Sequence, residues 1–136
     1  MAKSWILFLL GLLLTITSCG GATQAPPATS PDALPVSVDV AQVAELQKKP
    51  DVFLLDVREP SEYQSGHIAG TTLIPLGQLS SRLSELPKDK TIVAICHSGR
   101  RSGEAAQLLR DNGFDKAHTM TGGMVSWSEA NYPMER

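Results

Sequence analysis

Two short runs in this chain are apolar at every position, VFLL at 52–55 and IVAI at 92–95, and each ends on a polar residue, Asp56 and Cys96. A strand that is hydrophobic throughout is buried on both faces, the habit of parallel sheets. Around these runs the period changes. Asp39, with Gln42 three residues later, is a capping-box variant opening a helix that carries Val40, Val43, Ala44 and Leu46 and that Pro50 ends. Pro60 suits the first position of a short helical turn. Leu76, Leu79, Leu83 and Leu86, at spacings of three and four, predict an amphipathic helix. From Ser102, placed as a cap, Ala105, Ala106, Leu108 and Leu109 supply the apolar face of another helix, which Gly113 stops.

Shorter segments complete the pattern. Residues 36–38, 71–74 and 115–120 read as further strands, 66–70 and 122–123 as glycine turns, and 124–131 as a closing helix that stops before Pro133. Strands alternating with helices predict an α/β domain with a mostly parallel sheet covered on both faces. In such sheets ligands sit outside the carboxyl ends of the strands, where Cys96 falls.

The first quarter of the chain has a different texture. Lys3 precedes the apolar stretch WILFLLGLLL at 5–14, and ITSCG follows at 16–20. That run is shorter than the roughly 20 apolar residues a bilayer span needs, and no Lys or Arg follows until Lys48, so it reads as an export signal. Its end resembles the bacterial lipobox. The resemblance implies a lipoprotein signal peptide over 1–18, lipidation of Cys19, and an exported, membrane-anchored chain facing the periplasm or cell exterior. Several acyl chains on one residue anchor stably where one would not. Residues 19–35, rich in Gly, Ala, Thr, Ser and Pro, read as a flexible linker, and 36–136 as the folded head.

Composition narrows the function classes. With 136 residues the chain holds one domain at most, and a formal charge of −2 gives no support to a nucleic-acid partner. His67, His97 and His118 lack metal-ligand spacing, so no metal is expected. Cys19 and Cys96 have separate explanations and are not read as a disulfide.

The chemistry concentrates at Cys96, at a strand-to-helix turn. N–H groups at a helix start lack intrahelical partners and favour an anion placed among them. Gly99 permits a tight turn, and Arg100 and Arg101 add positive charge, so the thiol is expected to ionise more readily than a free one. A buried structural thiol is the commoner fate of a lone cysteine after an apolar strand. The glycine, two arginines and helix start that follow Cys96 favour a nucleophile.

LLDVREPSEYQSGHIAGTTLIPL at 54–76, CHSGRRS at 96–102 and GGMVSWSEANYP at 122–133 resemble the three signature stretches of the rhodanese domain, across nearly all of 36–136. The resemblance implies a five-stranded, mostly parallel sheet with helices on both faces. It implies a sulfurtransferase that takes a sulfane sulfur from thiosulfate or a related donor as a Cys96 persulfide and passes it to a thiol or cyanide, with no cofactor. His97, Ser98, Gly99, Arg100 and Arg101 would bind substrate, and Asp56, Arg58 and Ser102 would support the site. Arg101 could instead tie the loop to Asp56 or Glu59, leaving substrate contact to Arg100. His97 stands where many members carry arginine, and Leu73 where many carry asparagine. His67 is expected to be a hydrogen-bonded structural residue and His118 to have no role; Trp127 is core, rim or pocket wall beside Met124. The head is expected to be monomeric.

Two rivals remain in view. Phosphatases and arsenate reductases of related fold separate cysteine and arginine by five residues; Cys96 and Arg101 enclose four, a cradle suited to one sulfur atom rather than a phosphate. The other alternative is a non-enzymatic persulfide carrier or a partner-docking module at the cell envelope.

Overall fold

The computed structural model describes residues 34–136. The expected signal peptide, Cys19 and almost all of the linker lie outside the described residues. Strands β1 (Ser37–Val38), β2 (Val52–Asp56), β3 (Thr72–Leu73), β4 (Thr91–Ile95) and β5 (Ala117–Met120) form one sheet in the order β1-β5-β4-β2-β3. Every pairing is parallel, so the sheet exceeds the mostly parallel expectation. The two edge strands are two residues long each, which leaves little open edge for another chain to pair with.

The central strand decides the layering. Along β4, Ile92, Ala94 and then Cys96 enter one core, while Val93 and Ile95 enter the other, the two-residue alternation of a strand. The first core gathers Leu79 of helix α3 (Leu76–Leu79) and Ala105 and Leu109 of α4 (Arg100–Asp111). The second gathers Val43 and Leu46 of α1 (Val40–Leu46) with Met124 and Trp127 of α5 (Gly123–Glu129). Trp127 is fully buried and donates its indole N–H to the Pro133 carbonyl at 3.1 Å, so it is a core residue. The remaining helix, α2 (Pro60–Ser65), follows β2 and carries proline at its start. Among the described residues no helix is long and apolar enough to cross a membrane.

The capping box of α1 forms as its sequence requires: Asp39 Oδ1 accepts from the Gln42 N–H at 2.8 Å, and Gln42 Oε1 accepts from the Asp39 N–H at 2.9 Å. Two helices differ from their patterns. The leucine spacing over 76–86 predicts one continuous helix, but α3 stops at Leu79 and a separate 3-10 turn covers Leu83–Glu85. Between them lie two serines, and the Ser81 hydroxyl donates to the Gln78 carbonyl at 2.9 Å, a local bond that competes with helix continuation. Leu79 and Leu86 still reach the core, so the hydrophobic period survives although the helix does not. In α4 the helix begins at Arg100 with Gly99 at its N-cap, so Ser102 is an interior residue and not the cap. Gly99 adopts φ +102°, and this left-handed turn lets the chain enter the helix before it reaches Ser102.

Candidate active site

The loop from Cys96 to α4 folds back on the thiol. Cys96 is 1% exposed and is a free cysteine. Its Sγ accepts a hydrogen bond from the Gly99 N–H at 3.1 Å. On the other side the thiol donates to Ser102 Oγ at 3.4 Å. Ser102 is itself fully buried; its hydroxyl lies 3.1 Å from the Gly99 carbonyl and 2.7 Å from Thr119 Oγ1 on β5. Sulfur thus stands at the end of a short chain of two hydroxyl groups.

Burial pushes the Cys96 thiol up, but the Ser102 hydroxyl and the backbone N–H groups of Ser102, Gly99 and Ser98 outweigh it, and the net shift is downward from the ordinary thiol value. The expected direction therefore holds, though its cause is the Ser102 hydroxyl and then the backbone N–H groups, not the guanidiniums. Arg101 donates through both terminal nitrogens to Glu62 on α2, at 2.8 and 2.7 Å. That bond holds the Arg101 proton more tightly, with the charge on Cys96 a lesser contributor. Arg100 points outward, three-quarters exposed, and pairs with Glu104 at 2.6 Å. Ser98 and His97 are exposed at the loop surface.

Beneath the loop, Asp56 and Arg58 are both buried and joined by a 2.6 Å salt bridge. Arg58 also donates to the carbonyls of Glu62 and Gly66 at 3.2 and 2.9 Å, so β2, α2 and the turn after it are held as one piece. With Asp56 committed to Arg58, Arg101 ties down to Glu62, a partner different from the Asp56 or Glu59 expected. Behind the loop, the N–H groups of Met124 and Val125 donate to the carbonyls of Cys96 and His97 at 2.9 and 3.0 Å. The start of α5 thus finds in the loop the acceptors its own helix cannot supply. Among the described residues no group of three or more His, Cys, Asp or Glu could hold a metal ion.

Residues 39–130 match the family model described as a rhodanese-like domain. The chain belongs to the rhodanese-like family. Thiosulfate sulfurtransferase GlpE of Pseudoalteromonas translucida is 34% identical over 68% of this chain and 89% of its own length. The putative sulfur carrier protein YrkF of Bacillus subtilis is 45% identical over 55% of this chain, but the match spans only 40% of YrkF. A crystal structure of a rhodanese-related protein from Thermoplasma volcanium superposes with a TM-score of 0.68 at 35% identity, covering 73% of this chain and 96% of that one.

In this rhodanese-like domain the structure brings Cys96, Gly99 and Ser102 together, turns Arg101 away to Glu62, and leaves Arg100 on the surface. His67 is structural as expected: its ring stacks on Tyr63 at 3.8 Å and its Nδ1 lies 3.1 Å from the Tyr63 carbonyl. His118 has a tie its sequence did not announce, with Nδ1 2.7 Å from the Pro35 carbonyl where the chain enters β1. Three site contributors went unnoticed in the sequence. Glu62 looked like an ordinary acidic residue of a helix start; Thr119 lies 17 residues past Ser102 on another strand; and the glycine pair at 122–123 read as a turn. Only the last carried a signal, since two adjacent glycines before a helix suggest a close backbone approach.

Proposed function

We propose that the chain is a sulfurtransferase whose nucleophile is Cys96, taking sulfane sulfur from thiosulfate or a related donor. The thiolate attacks the outer sulfur of the donor; a new S–S bond forms, and sulfite leaves with the electron pair of the old one. The resulting persulfide anion is stabilised by the amides of the loop. An acceptor such as cyanide or a thiolate then attacks the terminal sulfur, and the electron pair returns to Cys96. The observation that carries this reading is the Gly99 N–H aimed at Sγ from 3.1 Å, within a loop that favours the thiolate. Cys19 is the proposed lipid anchor, holding the domain at a membrane on the exported side.

The test is thiocyanate formation from thiosulfate and cyanide by the full chain, beside Cys96→Ser and Cys19→Ala. Turnover should vanish with Cys96→Ser, whereas Cys19→Ala should keep turnover and move the protein from the membrane fraction to the soluble one. Turnover that survives Cys96→Ser would end the proposal for the site, and membrane association that survives Cys19→Ala would end the proposal for the anchor. Similarity to the putative sulfur carrier YrkF favours a second reading, a persulfide carrier serving a protein acceptor. A carrier would show one added sulfur on Cys96 by intact mass and only slow release to small acceptors.

A further inference from the structure

Three large apolar side chains are exposed among the described residues, and two of them, Val125 and Met134, line one cavity of about 610 Å³. The third, Val36, does not line it. A volume in this range suits the body of a small organic molecule and is far more than one inorganic ion needs. The wall nearest the catalytic loop is His97 with Met124 and Val125, the two residues whose N–H groups hold the Cys96 and His97 carbonyls. Cavity and cradle are therefore built on the same turn.

Charge decides what the cavity can take. Its one lining arginine, Arg58, is neutralised by Asp56 and commits four of its five N–H groups to that carboxylate and two carbonyls. Glu62 is neutralised by Arg101, and Glu129 makes no side-chain hydrogen bond or ion pair among the described residues. Arg100, the exposed cation of the loop, does not line the cavity. Apolar walls with a spare carboxylate, the His97 imidazole and no unpaired arginine or lysine disfavour an anion and accept an apolar or cationic body.

We infer that this cavity receives the body of the sulfur acceptor, and that the acceptor is an organic thiol whose body is apolar and carries no negative charge. The inference rests on the sulfurtransferase reading above. In the step it serves, the acceptor thiolate attacks the outer sulfur of the Cys96 persulfide; an S–S bond forms to the acceptor, the bond to Cys96 breaks, and Cys96 recovers its thiolate. The product is the organic persulfide.

The experiment uses the full chain with thiosulfate as donor and three acceptors, phenylmethanethiol, 2-aminoethanethiol and the dicarboxylate mercaptosuccinate, each corrected for its uncatalysed rate with a small persulfide. Cyanide serves as an acceptor too small to need the cavity. The corrected kcat/KM should favour phenylmethanethiol over mercaptosuccinate by about tenfold or more, the scale of one apolar group accepted or refused by a pocket. Met134→Asp, at a half-exposed position, should collapse that ratio, and Glu129→Lys should raise the rate with mercaptosuccinate. A corrected ratio near one, or one favouring the dicarboxylate, overturns the inference while normal cyanide turnover leaves the sulfurtransferase standing. Absence of cyanide turnover overturns both. An unchanged ratio in Met134→Asp would place the discrimination outside this cavity and so also overturns it.

Discussion

The hydroxyl chain behind Cys96 has a polarity that must reverse when the thiol ionises. With the proton on sulfur, the thiol donates to Ser102, whose single hydroxyl proton can go to the Gly99 carbonyl or to Thr119. Once sulfur is a thiolate it can only accept, so the Ser102 hydroxyl turns toward it and Thr119 can fill the vacated lone pair. Each hydroxyl then favours the charged form. Ser102→Ala should therefore move the pH midpoint of Cys96 alkylation by iodoacetamide upward, and Thr119→Val should move it upward by less. At neutral pH, Ser102→Ala should lower kcat/KM for thiosulfate by roughly tenfold, in line with the loss of one hydrogen bond to a charged group. Thr119→Ser should behave as the parent. An alkylation midpoint that stays put in both Ser102→Ala and Thr119→Val would show that the loop amides alone set the ionisation. At this scale the sequence was half legible. Cys96, Gly99 and Ser102 sit within seven residues and announce one another. Thr119 joins them only because β5 pairs beside β4, a contact no local pattern encodes.

Among the elements, α5 bears most directly on the chemistry. Its first residue, Gly123, has φ +57°, and a Cβ there would lie 2.6 Å from the His97 carbonyl carbon and overlap the Cys96 carbonyl oxygen. Those neighbours are backbone of the Cys96 loop and cannot swing aside, so Gly123→Ala must shift the loop or the helix. The expected cost is about 1–3 kcal/mol of unfolding free energy, with activity falling further than stability because the displaced atoms hold Cys96. Urea unfolding and thiosulfate turnover of the variant, measured together, check this. A variant as stable and active as the parent would mean that α5 is not seated on the loop as described. The strands were plain at this scale, since VFLL and IVAI can be little else in an alternating α/β chain, and β2 and β4 formed where those runs stand. The helices were less legible. Hydrophobic spacing over 76–86 gave the buried leucines but not the break at the serines, because spacing records which residues face the core and not whether the backbone between them stays helical.

Across the whole molecule, the Cys96 loop is held from two sides: α5 grips its carbonyls, and α2 reaches it through Glu62 and Arg101, 39 residues apart in sequence. That second tie makes the fold's stability depend on acid. The Arg101 guanidinium, together with the Glu59 N–H and the charge on Arg58, holds the Glu62 carboxyl down at about 2, against burial, which pushes it up. A carboxyl depressed in the folded state contributes stability that is complete above its unfolded value near 4.5, and that contribution is lost as pH falls through the folded value near 2. Because Glu62 and Arg101 are each partly open to solvent, the net worth of the pair is on the order of 1 kcal/mol and not the full Coulombic attraction. Glu62→Gln keeps an oxygen for the Glu59 N–H but removes the charge and one of the two oxygens that accept from Arg101. Urea unfolding should find it less stable than the parent by about that amount at pH 7, with the gap narrowing as pH falls from 4.5 toward 3, where the unfolded parent's Glu62 takes up a proton that the folded state still refuses. A gap that stays constant with pH would assign the loss to altered hydrogen bonding in α2. No gap at any pH would show that α5 alone seats the loop, and the thiolate cradle would then be independent of the tie to α2.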